Sequence, residues 1–177
     1  ILFVSELGWS ETEYGAVTGG AAVFAGLVGS IGGGFIADVL GPRRIVAIAS
    51  LLFAIVLTAF GLQLDLIGDA SRRVLWLYLI VEAGLLGCLN AAFFAVCFGV
   101  CRPAVAATQF TAYMAMANLG VTAAQAMAGR AQTELGLMGV WLLGAGIQGV
   151  VVLLIPLTAR NSDKKPPGDT PSVFDSK

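Results

Sequence analysis

Histidine is absent from this chain, and charge is nearly so: Asp, Glu, Lys and Arg together make up 12% of 177 residues, for a formal net charge of −1. The first absence removes the usual imidazole ligands and general bases. The second removes the basic surface that nucleic acid requires, and no cluster of cations with interleaved aromatics replaces it. Cysteine is scarce as well, at three residues. Cys97 and Cys101 share a helical face, but Cys88 lies more than two turns away, so no metal set forms from them and none is expected. No cofactor is expected either. The thiols read as small apolar residues of a membrane helix.

What the chain has instead is oil. It is 58% hydrophobic with a mean hydropathy of +0.88, where soluble domains are about 45–50% apolar and about 25% charged. Charge-free windows run from Glu13 to Asp38, Arg44 to Asp65, Arg102 to Arg130 and Glu134 to Arg160; a fifth, Val74 to Cys101, is interrupted only by Glu82. Each reaches the roughly 20 residues needed to cross a bilayer. The expectation is an all-α fold, a polytopic transmembrane helix bundle with helices over 14–37, 45–63, 74–99, 106–129 and 137–159. Residues 1–160 form its membrane domain. The opening ILFV reads as the end of an earlier helix and is too short for a signal peptide. The polar, proline-bearing stretch 161–177 reads as a disordered tail.

Orientation follows from the basic residues. Arg43, Arg44, Arg102, Arg160, Lys164, Lys165 and Lys177 flank one side; Arg72, Arg73 and Arg130 flank the other. The excess places the 38–44 turn, the 100–105 turn and the tail in the cytoplasm. Trp9, Tyr14, Trp76, Tyr78 and Trp141 collect near the opposite helix ends, as an interfacial aromatic belt would.

The densest gathering of glycine and charge is GGGFIADVLGPRR, residues 32–44. Gly32, Gly34 and Ala37 satisfy the spacing of a dinucleotide-binding loop. That loop, however, needs a strand before it and an acid about 20 residues later, and here the preceding run is too long for a strand and the next acid is Asp65. Small-residue spacing explains the glycines better. Ala22, Gly26, Ser30 and Gly34 recur every fourth position, with Gly29 and Gly33 beside them, so this helix should approach a neighbour closely. Asp38 closes the helix at the end where the macrodipole is already negative, costing roughly 0.3–1 kcal/mol, which points to an outside partner. Gly41 suits a reversed backbone and Pro42 the first turn of the next helix.

Glu82 is the one ionisable residue well inside a membrane segment. An acid at a helix centre costs about 2.5–3.5 kcal/mol, so it should face a cavity or a partner. Without histidine, a carboxylate is the natural proton carrier; proton coupling or cargo binding stands beside a protonated or paired structural glutamate. The helix from 106 carries a polar seam in which Thr111, Asn118, Thr122 and Gln125 share one face, extended by Thr108. Such a seam lines an aqueous cavity or bonds a neighbouring helix, an interaction averaging about 0.6 kcal/mol. Asn118 and Gln125 are the leading cargo candidates, with Asn90 and Gln148 behind them; Arg130 attracts anionic cargo or anchors at headgroups. An enzyme is not expected: there is no second buried acid and no Ser/Lys or paired-Asp arrangement.

Three phrases carry a family resemblance. GFIADVLGPRR (34–44), with Gly34, Asp38, Gly41, Arg43 and Arg44, resembles the signature loop of the major facilitator superfamily, a gating turn between membrane helices; Val39 stands where that loop usually has a basic residue. ELGWSETEYGAV (6–17) and AATQFTAYMAMANLG (106–120), with its Thr108-Gln109 pair, are similar to the AmpG-type muropeptide permeases of that superfamily, as is VEAGLLGCLNAAFFAVCFGVC (81–101). The resemblance implies a partial C-terminal half of a twelve-helix fold, helices eight to twelve, with ILFV ending the seventh. It also implies proton-coupled import of muropeptide-like solutes (amino sugar plus peptide) across the cytoplasmic, or inner, membrane. The implied partners are the solute, protons, the lipid bilayer and the missing N-terminal half. Alternatives are another solute (siderophore, acetyl-CoA or drug) or a truncated, non-transporting membrane protein.

Overall fold

The computed structural model describes residues 8–66 and 72–160. ILFV and the tail 161–177 lie outside the described residues. Helix α1 runs Glu11–Leu40. Ser10 starts it, its side chain accepting from the Glu13 N–H at 3.1 Å, with Glu11 and Glu13 in the first turn, where the helix dipole favours acids. Val17–Ala21 is π-helical, and the Ala22 N–H reaches back five residues to the Val17 carbonyl. Thr18 Oγ1 donates to the Tyr14 carbonyl at 2.7 Å.

The helix ends where the expected turn forms. Gly41 takes φ 91°, a backbone that a side chain disfavours, and its N–H donates to the Ala37 carbonyl at 2.9 Å. Pro42, which has no N–H to leave unpaired, opens helix α2, Pro42–Leu66. Helix α3 spans Arg72–Val100. A 3-10 turn at Pro103–Val105 leads into α4, Ala106–Arg160. Helices α1 and α2 overrun their charge-free windows at both ends, because flanking polar residues end the membrane segment without ending the helix.

The largest difference from expectation is at 130–136. A linker was expected there, yet α4 is interrupted only at Gly136, with φ 70° and ψ −174°. Ala131, Gln132, Glu134 and Leu135 are good helix formers, and nothing breaks the pattern before that glycine. Among the described residues four helices are long and apolar enough to cross a membrane, the fourth over 54 residues. At 1.5 Å per residue that is about 80 Å, against a hydrocarbon core of about 30 Å.

Contacts show that the chain turns back at Gly136. A Cβ on Gly61 would meet Trp141 at 3.0 Å, and one on Gly144 would meet Leu57 at 3.3 Å, while Ile155 packs with Ile45 and Val46. The limb 137–156 therefore runs antiparallel to α2. The limb 106–135 leaves from the opposite direction, where Phe110 stacks on Phe98 with centroids 4.1 Å apart. The bundle thus has a basic end, with Arg43, Arg44 and Arg102, and an aromatic end.

At that aromatic end the tryptophans and tyrosines do not form an outward belt. Trp9 is 3% exposed and Tyr78 7%, and both sit in a core with Val17, Phe53, Leu57, Phe60, Leu75 and Leu79, against which Tyr14, Trp76 and Trp141 pack. Tyr78 stacks on Phe60 at 3.7 Å, and Trp141 meets their edges at 5.1 and 5.3 Å. Convergence of α1, α2, α3 and the limb 137–156 leaves space that only rings fill, and each such pair adds about 0.5–1.5 kcal/mol beyond its burial.

Much of the outward surface is apolar. Phe24, Phe35, Val39, Leu77, Leu119 and Leu153 are all well exposed, as residues facing hydrocarbon should be.

Candidate functional site: a charged turn, a partly buried acid and an uncovered polar limb

The small residues of α1 pack on a matching stripe of α3. A Cβ on Gly29 would collide with the backbone of Gly84, and one on Gly87 with the carbonyl of Gly26; one on Gly33 would stand 2.6 Å from Cys88 Cα. Ala37 and Ala92 continue the contact, both fully buried. Paired residue numbers rise together along both helices, so α1 and α3 are parallel. The close approach follows Gly26, Gly29, Gly33 and Ala37 rather than the row ending at Gly34, whose surroundings are open. Gly34 thus has no neighbour within 4 Å that a methyl would displace.

This pairing positions the signature turn. Asp38, Gly41, Arg43 and Arg44 line a cleft of about 730 Å³ whose other wall is the end of α3, at Ala95, Val96, Gly99 and Val100. Asp38 is exposed and has no ion-pair partner among the described residues. It lines the same cleft as Pro42, the first residue of α2, and a positive helix N-terminus offsets part of the cost of an acid at a helix C-terminus.

Glu82 projects from α3 near the aromatic end and is partly buried. One turn before it stands Tyr78, whose hydroxyl is buried without a hydrogen-bond partner; Trp141 Nε1, Ser50 Oγ and Gln148 Oε1 share that condition. Sequence reasoning had placed Tyr78 and Trp141 at a lipid interface and had passed over Ser50, which is 0% exposed within an apolar run. Tyr78 could have been found, since it lies four residues before Glu82 on one helical face.

The polar seam stands apart. The limb 106–135 meets α3 near its own start, where Phe110 touches Phe98 and, edge-on at 6.3 Å, Phe94. Beyond that, Asn118, Thr122 and Gln125 are exposed, as are Thr108 and Thr111. Thr111 Oγ1 donates to the Ala107 carbonyl at 2.9 Å, and Thr122 Oγ1 donates to the Asn118 carbonyl at 3.1 Å. These hydroxyls keep their protons within the limb, which leaves the amides of Asn118 and Gln125 as the groups still to be satisfied. Asn90 is also exposed, on α3 four residues before Phe94. The described residues show no hydrogen bond between Glu82 and the seam.

Gln109 has a local task. Its Oε1 accepts from the Arg102 N–H at 2.7 Å, closing the turn between α3 and the limb that follows. Thr108 makes no such bond among the described residues.

Comparison with known proteins adds one positive finding. The family model of the Major Facilitator Superfamily matches residues 1–175. No curated protein matches the chain significantly, and no solved structure does. A multi-pass bundle, a glycine-bounded acidic–basic turn and a match across nearly the whole sequence agree: the chain belongs to the Major Facilitator Superfamily.

Proposed function

We propose that this chain is the C-terminal half, helices eight to twelve, of a proton-coupled importer that carries muropeptide-like solutes across the cytoplasmic membrane. Superfamily membership makes it part of a secondary transporter. The observation that carries the rest is the uncovered limb 106–135. Asn118 and Gln125 hold unsatisfied amides midway along a membrane-length helix, and hydrocarbon offers no partner for them. A water-filled cargo path shared with a second half of the transporter would supply one, near the midplane where such folds bind their solutes.

In this reading Asn118, Gln125 and Asn90 hydrogen-bond the cargo, with Thr122 contributing its lone pairs. Glu82 carries the proton. The turn of Gly34, Asp38, Gly41, Arg43 and Arg44 faces the cytoplasm and gates the conformational change, the basic-residue asymmetry supporting that orientation. Thr108 and Gln109 hold the start of the seam-bearing limb. The cargo class rests on the phrases at 6–17, 81–101 and 106–120 that resemble muropeptide permeases.

The test is uptake by the full-length transporter in proteoliposomes. Labelled muropeptide should accumulate above equilibrium under an inward proton gradient. Failure to accumulate, with another solute accumulating instead, would replace the cargo class; failure with every solute would favour a non-transporting chain. Glu82→Gln should abolish gradient-driven accumulation and its dependence on external pH while the protein still folds. Unchanged uptake would remove Glu82 from the mechanism.

A further inference from the structure

Tyr78 is the buried titratable group that the proposed transport cycle leaves unused. Three observations bear on it. Its hydroxyl has no hydrogen-bond partner in the structure, and the indole N–H of Trp141 is likewise unpartnered, although the two rings meet edge-on at 5.3 Å. Two orphaned polar groups in one aromatic cluster call for a third, and an ordered water is the group that most often fills such a place. Second, Tyr78 lines a groove of about 210 Å³ between α2 and α3, together with Ala59, Phe60, Gln63, Leu77 and Val81. Apart from Tyr78 and Gln63 its lining is apolar, and it lies at the end of the bundle opposite the basic turn. Third, Tyr78 and Glu82 are one turn apart on α3, so their side chains are neighbours.

We infer that Tyr78 relays protons between the aromatic end of the bundle and Glu82, through a water held by its hydroxyl and Trp141 Nε1. The inference rests on Glu82 being the proton carrier. The step balances as a hop: Tyr78 takes a proton from the water it shares with Trp141 and passes its own hydroxyl proton through a second water to the Glu82 carboxylate, with which it makes no direct hydrogen bond, so that one proton moves and no bond between heavy atoms changes. The surroundings suit this. Over 45–63 of α2 and 137–156 no charged residue occurs; α1 brings Tyr14 to the cluster and carries Glu11 and Glu13 in its first turn. No cation competes for the Glu82 carboxylate from those segments.

Tyr78→Phe keeps the ring stacked on Phe60 and removes one oxygen. In the full-length transporter it should slow gradient-driven uptake by about tenfold or more and raise the solvent isotope effect in D2O, because proton transfer then limits the rate. Solute exchange without a gradient, which needs no net proton movement, should keep its rate. Trp141→Phe should give the same split in weaker form. If Tyr78→Phe matches the unaltered protein in driven uptake and isotope effect while Glu82→Gln is inactive, the relay is overturned and the transport reading stands. If Tyr78→Phe loses exchange as well, the tyrosine is a structural support and the relay is again overturned. If Glu82→Gln still drives uptake, the carrier assignment fails and takes the relay with it.

Discussion

The α1–α3 pair and the limb 106–135 are both long apolar helices, yet they meet their surroundings in opposite ways. Between α1 and α3 the contact is backbone against backbone, with Gly29 on Gly84 and Gly87 on Gly26. Nothing larger than hydrogen fits there. The limb touches its neighbours through Phe110 near its start and otherwise leaves both leucines and amides uncovered. Shape closes the first contact; chemistry leaves the second open. A pair so tightly fitted leaves no room for a side chain between its backbones, whereas the limb keeps polar atoms open to a partner.

Substitutions can break this contrast in order of severity. Gly29→Val puts two methyl groups into the backbone of Gly84 and should cost on the order of 4 kcal/mol or more, the range of severe overpacking. Detergent-solubilised protein would show it as an early thermal unfolding transition. Gly34→Ala, five residues on and facing open space, should be neutral or slightly stabilising in the same assay. Equal damage from both would mean that the glycines act through helix propensity rather than contact.

A smaller loss is expected at the root of the limb. Gln109→Ala removes the acceptor for the Arg102 N–H and should cost about 1 kcal/mol, read as a modest shift of the same transition. The smallest change in stability is expected where the change in transport is greatest. Asn118→Leu with Gln125→Leu should alter stability by less than about 0.5 kcal/mol, since neither amide has a partner, while uptake by the full-length transporter falls to background. Strong destabilisation would show that the seam is interhelical glue.

Membrane crossings were legible because charge-free length is a direct physical requirement, and Gly41-Pro42 was legible because few sequences tolerate a positive φ followed by a missing N–H. The partner of the α1 glycines was harder to read. Ala83, Gly84, Gly87, Cys88 and Ala92 form a stripe as regular as that of α1, but Glu82 and Asn90 drew attention from it, and spacing alone does not say which stripe meets which. The tryptophans and tyrosines misled for a related reason. Position along the helix put them at the correct end, but only packing decides whether a ring turns toward lipid or toward Phe60. Arg130 and Glu134 bound the charge-free windows without ending the helix, since both are comfortable in a helix that has merely left the hydrocarbon. The seam was legible as a pattern; that its hydroxyls would be satisfied within the limb, leaving the amides as its open groups, depended on side-chain geometry that a sequence does not record.

The π-helical stretch Val17–Ala21 gives α1 two phases. Its wide turn absorbs one residue, so the segment holding Trp9 and Val17 in the aromatic core and the segment holding the glycines against α3 are indexed separately about a common axis. Deleting one residue between Thr18 and Gly20 would close the wide turn to an ordinary α-helical one without rotating the outer segment, so the aromatic core and the glycine contact should both keep their places. The added residue thus alters the helix locally while both of its contacts stay seated.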